Sequence, residues 1–228
     1  NYISKKLAMK KFLLSFILIS YFSFSQVSDY HGFMNFSYND DSGKIILEID
    51  NLDTEFLYIN SLSRGVGNND LGLDRGQLGN SRIVYFTKRG NKILLIQPNL
   101  KYISTSSNNL ENKAVEEAFA RSVLFGFEII EKSEDSYKVD LTPFLINDAH
   151  GVSLRLKYLK SGSYTLNKSM SAIDLERTKS FPENIEFDVL LTFTGNPSGN
   201  LVRSVTPTAS NLTVNQHHSF VKLPDNNF

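Results

Sequence analysis

The 228-residue chain is 41% hydrophobic and 21% charged, a balance typical of a soluble globular protein that can bury one good core. Its 24 basic and 24 acidic residues are unevenly placed, because Lys5, Lys6, Lys10 and Lys11 precede residue 26 and no acid does. The rest of the chain carries 20 basic and 24 acidic residues, a formal net charge of −4. Such a surface has no long-range attraction for nucleic acid or anionic lipid, so neither is expected as a partner.

Residues 1–25 have the composition of an export signal. Residues 1–8 precede Met9, the expected initiator, and a positive Lys10-Lys11 pair then leads into the apolar run 12–22. That run is too short for a membrane-spanning helix of about 20 residues. Small residues at positions 23 and 25 suit cleavage before Gln26. We therefore expect an exported protein, located in the periplasm or outside the cell, with no membrane association after cleavage.

Most of the remaining chain has the period of two that is typical of strands. Seven segments rich in Ile, Val, Phe and Tyr are bounded by Gly, Asn, Asp or Pro, and they predict strands at residues 33–38, 44–49, 56–60, 83–87, 92–97, 185–193 and 220–223. The turn-forming runs 40–43 and 89–91 predict two successive hairpins. An antiparallel, β-rich sheet follows.

Two helices are predicted beside the sheet. Residues 110–125 place on one face Ala114, Val115, Ala118, Phe119, Ser122 and Val123, and Gly126 can end this helix. Phe119 is expected to be buried and to anchor the helix to the sheet. A second helix is predicted to start at Thr142, as its N-cap, and Pro143, and to reach about residue 147. The expected fold is one β-rich α+β domain over residues 26–228.

No complete catalytic constellation is present. The chain lacks the H-E-x-x-H, G-x-S-x-G and P-loop motifs, which are the common signatures of zinc hydrolases, serine hydrolases and nucleotide-binding proteins. It has no cysteine, which excludes disulfides, a thiol nucleophile and lipoprotein anchoring. We expect no catalytic residue and no metal ligand in this chain.

The four histidines give no metal signature. His217 and His218 are adjacent, so on a strand their side chains point to opposite faces and cannot chelate one metal together. Structural or surface roles are favoured for both. His150 lies near the predicted end of the second helix, where a capping contact is favoured. His31 is isolated and indicates no function.

The segment 64–79 is the most unusual part of the chain, because glycines alternate there with Asn, Asp and Arg. The residues concerned are Gly65, Gly67, Asn68, Asn69, Asp70, Gly72, Asp74, Arg75, Gly76 and Gly79. Phosphate binding is disfavoured because the segment leads into a strand and not a helix. Calcium binding by Asn68, Asp70 and Asp74 would lack a downstream bidentate Glu. The favoured interpretation is a long turn, held by hydrogen bonds of Asp74 and Arg75, that docks on a neighbouring domain.

Six long segments carry a specific resemblance: NSLSRGVGNNDLGLDRGQLG, QPNLKYISTSSN, AVEEAFARSVLFGFEI, DAHGVSLRLK, GSYTLNKSMSAIDLERTKSFPENIEF and HHSFVKLPD. Together they resemble the N-terminal region, itself a domain of unknown function, of a family of exported bacterial zinc-dependent metalloproteases. In that family a metzincin-like catalytic domain with an extended H-E-x-x-H-x-x-G-x-x-H motif follows. The motif is absent here, so the resemblance places the zinc in that further domain and assigns no zinc ligand to this chain.

The resemblance implies an accessory or scaffold domain of a metallopeptidase, with the C-terminal peptidase domain of the same chain as its partner. The large apolar side chains of the Gly-rich segment, Leu71, Leu73 and Leu78, are then expected to pack against that domain. Two alternatives remain open. A peptide- or glycan-binding module would carry an exposed aromatic patch near this segment, and an inhibitory propeptide would block the metal with a residue such as Asp74 or His150.

The first testable prediction concerns processing. Because small residues precede Gln26 and an apolar run precedes them, the mature N-terminus is expected at Gln26 or within a residue or two of it. N-terminal sequencing of the exported protein measures this position. Exported protein that retains Met9 would contradict the prediction.

Overall fold

The computed structural model describes residues 26–225, and the predicted signal peptide, residues 1–25, lies outside them. Within the described residues, eleven antiparallel strands form one sheet, which confirms the predicted β-rich α+β class. In chain order the strands are β1 Val27–Tyr30, β2 Asn35–Asn39, β3 Lys44–Ile49, β4 Glu55–Arg64, β5 Leu78–Arg89, β6 Lys92–Gln97, β7 Ser122–Lys132, β8 Tyr137–Asp140, β9 Gly162–Ser180, β10 Asn184–Pro197 and β11 Asn211–Lys222. The helices are α1 Asn109–Ala118, α2 Thr142–Leu145 and α3 Val152–Tyr158, and Asn69–Leu71 form a 3-10 turn.

Both predicted hairpins are present. Strands β2 and β3 pair around a turn in which Gly43 has φ +64°, and β5 and β6 pair around a turn in which Gly90 has φ +58°. The predicted bounds of β3 and β6 match the structure. Strands β1, β7, β8 and β9 were not predicted, and β9 is the longest in the sheet at 19 residues.

The sheet curls so that its two ends approach each other. Its strand order is β1-β2-β3-β8-β7-β6-β5-β4-β11-β10-β9. Ahead of β2, the Phe33 amide donates to the Phe181 carbonyl oxygen at 2.7 Å, and Ser180 Oγ donates to the Met34 carbonyl oxygen at 2.9 Å. A Cβ on Gly32 would lie 2.4 Å from Ser180 Oγ, so this approach requires glycine.

The concave side of the curled sheet is filled by aromatic rings. Phe220 of β11 lies among four rings from three other elements, with centroid distances of 5.2 Å to Phe56, 5.5 Å to Tyr58, 6.0 Å to Phe187 and 6.1 Å to Phe144. Side chains at alternate positions of each strand supply this core, as the period of two predicts. The core therefore depends on strands from both ends of the sequence.

The first predicted helix is shorter than expected, and its predicted packing is wrong. Helix α1 ends at Ala118, Phe119 is extended with φ −118° and ψ 123°, and residues 122–132 form β7. Residues 122–132 are rich in β-branched and aromatic side chains and pair with β6, where Val123 lies opposite Ile96. Strand pairing therefore overrides the helical spacing of this segment. No side chain of α1 is buried, and Phe119 is 38% exposed.

The second predicted helix is present as α2, although Thr142 is its first residue and not its N-cap. Asp140 Oδ1 accepts from the Thr142 amide, and Thr142 Oγ1 accepts from the Ile45 amide at the start of β3. Helix α3 was not predicted, because only Val152 and Leu156 of its seven residues are buried. Both helices close the end of the curled sheet at which β3 begins.

We predict that the free energy of unfolding depends on Phe220 and much less on Phe119. Phe220→Ala removes a fully buried ring and is expected to cost about 3–5 kcal/mol. Phe119→Ala, the matched control, removes only the stacked contact with Tyr102 at 4.0 Å and is expected to cost about 1 kcal/mol or less. Urea unfolding of residues 26–228 measures both, and equal losses would contradict this account of the core.

Candidate functional site

The Gly-rich segment is ordered by contacts within this domain. Asn68 Oδ1 accepts from the Asp70 amide at the start of the 3-10 turn, and Gly72 ends the turn with φ +60°. Leu71 and Leu73 are 0% and 1% exposed and belong to the core. The expectation that these two leucines pack on another domain is therefore wrong.

Two further contacts fix this segment. Arg155 Nε of α3 donates to the Leu71 carbonyl oxygen at 2.8 Å, and Asn68 Nδ2 donates to the Leu201 carbonyl oxygen at 3.1 Å. A Cβ on Gly65 would lie 2.2 Å from the Leu73 carbonyl oxygen, so the chain can cross itself only at a glycine. Gly67, Asp70, Arg75 and Gly76 remain exposed, and a docking role for that outer part stays a prediction.

The two adjacent histidines point to opposite faces of β11, as the sequence predicts. His218 faces the core, where Nδ1 lies 3.0 Å from the Tyr58 hydroxyl and Nε2 lies 3.1 Å from the Leu145 carbonyl oxygen. Burial lowers the pKa of His218 to about 4, so its ring is neutral at pH 7. Within residues 26–225, no group of three or more His, Asp or Glu side chains is placed to hold a metal ion.

The segment between α2 and α3 is tied to β11 by Gln216. The Gln216 side chain accepts from the His150 amide and donates to the Asn147 carbonyl oxygen, each at 2.8 Å. The predicted capping contact of His150 at the end of α2 is wrong, because the backbone amide of Ile146 donates to the Thr142 carbonyl oxygen there and His150 Nδ1 is buried without a partner among residues 26–225. At the start of α3, the carboxylate of Asp148 accepts from the amides of Val152 and Ser153. A carboxylate caps better there because it can accept both donors at once.

A charged cluster occupies the outer face of β10 and β11. His217 lies between two carboxylates of β10, with Nε2 2.6 Å from Glu186 Oε2 and Nδ1 3.2 Å from Asp188 Oδ2. Asn215 extends the cluster by donating to Asp188 at 2.9 Å and to Asp174 of β9 at 3.0 Å. Alternation along each strand explains why Glu186 and Asp188 share one face of β10 and why Asn215 and His217 share one face of β11. Only the pairing register, in which Asp188 lies opposite His217, brings the two sets together.

The two carboxylates hold His217 in its charged form. Burial alone would lower the pKa of His217, but hydrogen bonds to Asp188 and Glu186 outweigh it and raise the pKa to about 9. Burial likewise opposes ionisation of both acids, and the hydrogen bonds from His217 keep their pKa values below the ordinary range. Ser219 Oγ donates to Glu186 and not to His217, so these residues do not form a nucleophile and base pair. The cluster stabilises the sheet.

Residues 98–121 connect β6 to β7, and we call this connection the arm. A cleft of about 680 Å³ lies between the arm and the sheet. Glu55 of β4 and Tyr85 of β5 form its floor, and α1 forms one wall. Tyr102 and Phe119 stack in the cleft with centroids 4.0 Å apart. The sequence pattern does not reveal this cleft, because its helical spacing predicts that the apolar side chains of residues 110–125 form a buried helix face.

We predict that the stability contributed by His217 is lost at alkaline pH. Its pKa is raised from 6.5 to about 9, so the contribution is complete below pH 6.5 and declines as pH rises through 9. At pH 6 the loss on His217→Gln is expected to be about 3 kcal/mol, since one pKa unit corresponds to 1.36 kcal/mol. His31→Gln is the control at an exposed histidine. Urea unfolding from pH 6 to 10 measures both, and a difference independent of pH would contradict the assignment.

The described residues contain no membrane-spanning helix, since the longest, α1, has ten residues.

Neither curated proteins nor solved structures provide a match to this chain. One family profile does match, over residues 76–228, which is more than half of the chain. The chain therefore belongs to the family described as Domain of unknown function (DUF5117).

Proposed function

We propose that this chain is a non-catalytic accessory or scaffold domain of an exported zinc-dependent metallopeptidase, and that it binds the peptidase domain of the same parent chain. The resemblance of its sequence segments supports the parent activity, with zinc held in the peptidase domain. The exposed apolar surface of the arm is the single observation that carries the binding role.

The arm is folded without burying its own helix. Helix α1 has ten residues and no buried side chain. A helix of this length is only marginally stable by itself in water, so its apolar surface is expected to be covered by another surface. The large apolar side chains of the arm and the adjoining start of β7 are between 38% and 76% exposed: Leu100, Tyr102, Ile103, Leu110, Phe119 and Val123.

The surroundings of this surface suit a protein partner. Glu116, Glu117, Lys113 and Arg121 surround the Tyr102–Phe119 stack, and both signs of charge are present. Arg121 Nη1 lies 3.9 Å from Glu116 and donates to the Tyr85 hydroxyl at 3.5 Å. An apolar, aromatic centre with a polar rim is the usual arrangement of a protein–protein interface.

The alternatives have less support. A peptide- or glycan-binding module was expected to carry an aromatic patch near the Gly-rich segment, but the single exposed aromatic on the adjoining helix α3 is Tyr158, whereas Tyr102 and Phe119 stack on each other in the arm. An inhibitory propeptide would block the metal with a residue such as Asp74 or His150. Of these, His150 is constrained, because its amide donates to Gln216 and its Nδ1 is buried without a partner among residues 26–225, whereas Asp74 is half-buried.

We predict that the arm determines affinity for the peptidase domain. Ile103→Ser combined with Leu110→Ser removes two exposed apolar side chains and is expected to weaken binding at least about tenfold, since a few apolar residues dominate most interfaces. Isothermal titration of residues 26–228 against the separately expressed peptidase domain measures this affinity.

The matched control is Leu154→Ser combined with Tyr158→Ser on α3, whose side chains are 72% and 78% exposed. Because all four residues are exposed, neither double variant is expected to change the free energy of unfolding by more than about 0.5 kcal/mol per site. Unchanged affinity of the arm variant, or an equal loss in both variants, would overturn the proposed docking surface.

A further inference from the structure

A second cavity opens at the end of the curled sheet that lies away from α2 and α3. Helix α2 bonds to the start of β3, whereas this cavity lies where β3 ends, at Ile49, and where β4 begins. It has a volume of about 480 Å³, and we call it the mouth pocket. This size lies within the range of about 300–1,000 Å³ that is typical of small-ligand sites, which often occupy the mouths of curled sheets.

The inner lining of the mouth pocket is apolar and aromatic. Phe33, Phe56 and Phe86 lie side by side there, with Phe33 and Phe56 edge to face at 6.3 Å and 71°, and with Phe56 and Phe86 at 5.3 Å. Met34 and Ile49 complete this lining. Phe56 and Phe86 are only 2% and 1% exposed, so the partly exposed Phe33 and Met34 supply most of the apolar contact available to a ligand.

The rim of the mouth pocket has an excess of negative charge. Asp50, Glu55 and Asp225 line it together with one cation, Lys222. None of these four side chains makes an ion pair with another residue in the range 26–225, and Asp50 Oδ1 accepts only from the neighbouring Asn51 side chain. The carboxylates are thus free to bind a positively charged group that enters from solvent.

We propose that the mouth pocket binds an amphipathic cation, a ligand with an aromatic or aliphatic body and an ammonium or guanidinium head. The body lies against Phe33 and Met34, and the head lies at the rim that Asp50 and Asp225 line. Either a small free amine or a basic side chain of a peptide has this chemistry. The inference does not depend on the function proposed for the arm.

The test uses 2-phenylethylammonium as the small amine, acetyl-Phe-Lys-amide as the peptide, and phenylacetate and benzyl alcohol as matched anionic and neutral compounds. Amide chemical shifts of ¹⁵N-labelled residues 26–228 report both the location and the affinity of binding. The cationic probes are expected to shift residues 32–34, 49–56 and 222–225. Tighter binding of the dipeptide would identify a peptide as the source of the cation, and tighter binding of the amine a free amine.

The double variant Asp50→Asn and Asp225→Asn is expected to weaken binding of the cationic probes about tenfold, because it removes two nearby charges. Glu55 is left unchanged, since it also lines the cleft of the arm. Asp41→Asn, in the exposed turn between β2 and β3, is the control and is expected to leave affinity unchanged. Equal binding of benzyl alcohol, no shifts in these residues, or an unaltered affinity in the double variant would overturn the proposal.

Discussion

Strand β4 joins the two parts of the sheet, because it lies between β5 and β11 and pairs with both. Strand β4 pairs with β11 from Phe56 to Arg64, across more than 150 residues of sequence, and it carries Phe56 and Tyr58 into the core. If β4 were removed, β5 and β11 would each have one edge without a hydrogen-bonded neighbour. The family profile begins at residue 76 and omits β4, so the matched region is not a complete structural unit.

The same strand β11 separates two opposite electrostatic environments. His218 points into the aromatic core and is neutral, whereas His217 points outward between Glu186 and Asp188 and is charged. Because adjacent side chains of a strand point to opposite faces, one ring lies beside carboxylates and is protonated, and the other lies in the core and is neutral. The neutral ring connects β11 to Leu145, the last residue of α2, and the charged ring compensates two carboxylates that burial would otherwise penalise.

The two ends of the curled sheet and its outer face have different surfaces. The Gly-rich segment and α3 close one end through Leu71, Leu73 and Arg155. The other end stays open as an apolar pocket with an acidic rim. On the outer face, the arm presents apolar side chains that no element within residues 26–225 covers. The closed end stabilises the fold, whereas the open pocket and the exposed arm are the two surfaces proposed to bind a ligand or a partner.

Alternation and turn chemistry act over a few neighbouring residues, so the pattern of the chain was enough to predict the β-rich class, two hairpins, the start of α2 and the opposite facing of His217 and His218. The burial of Leu71 and Leu73 and the exposure of Phe119 depend on tertiary contacts, since the same apolar side chain can be buried or exposed according to which elements pack against it. The helical spacing of residues 110–125 predicts one helix, but the pairing of β7 with β6 places residues 122–125 in the sheet. The cluster around His217 likewise required the register of three strands, and register depends on contacts between residues far apart in the chain.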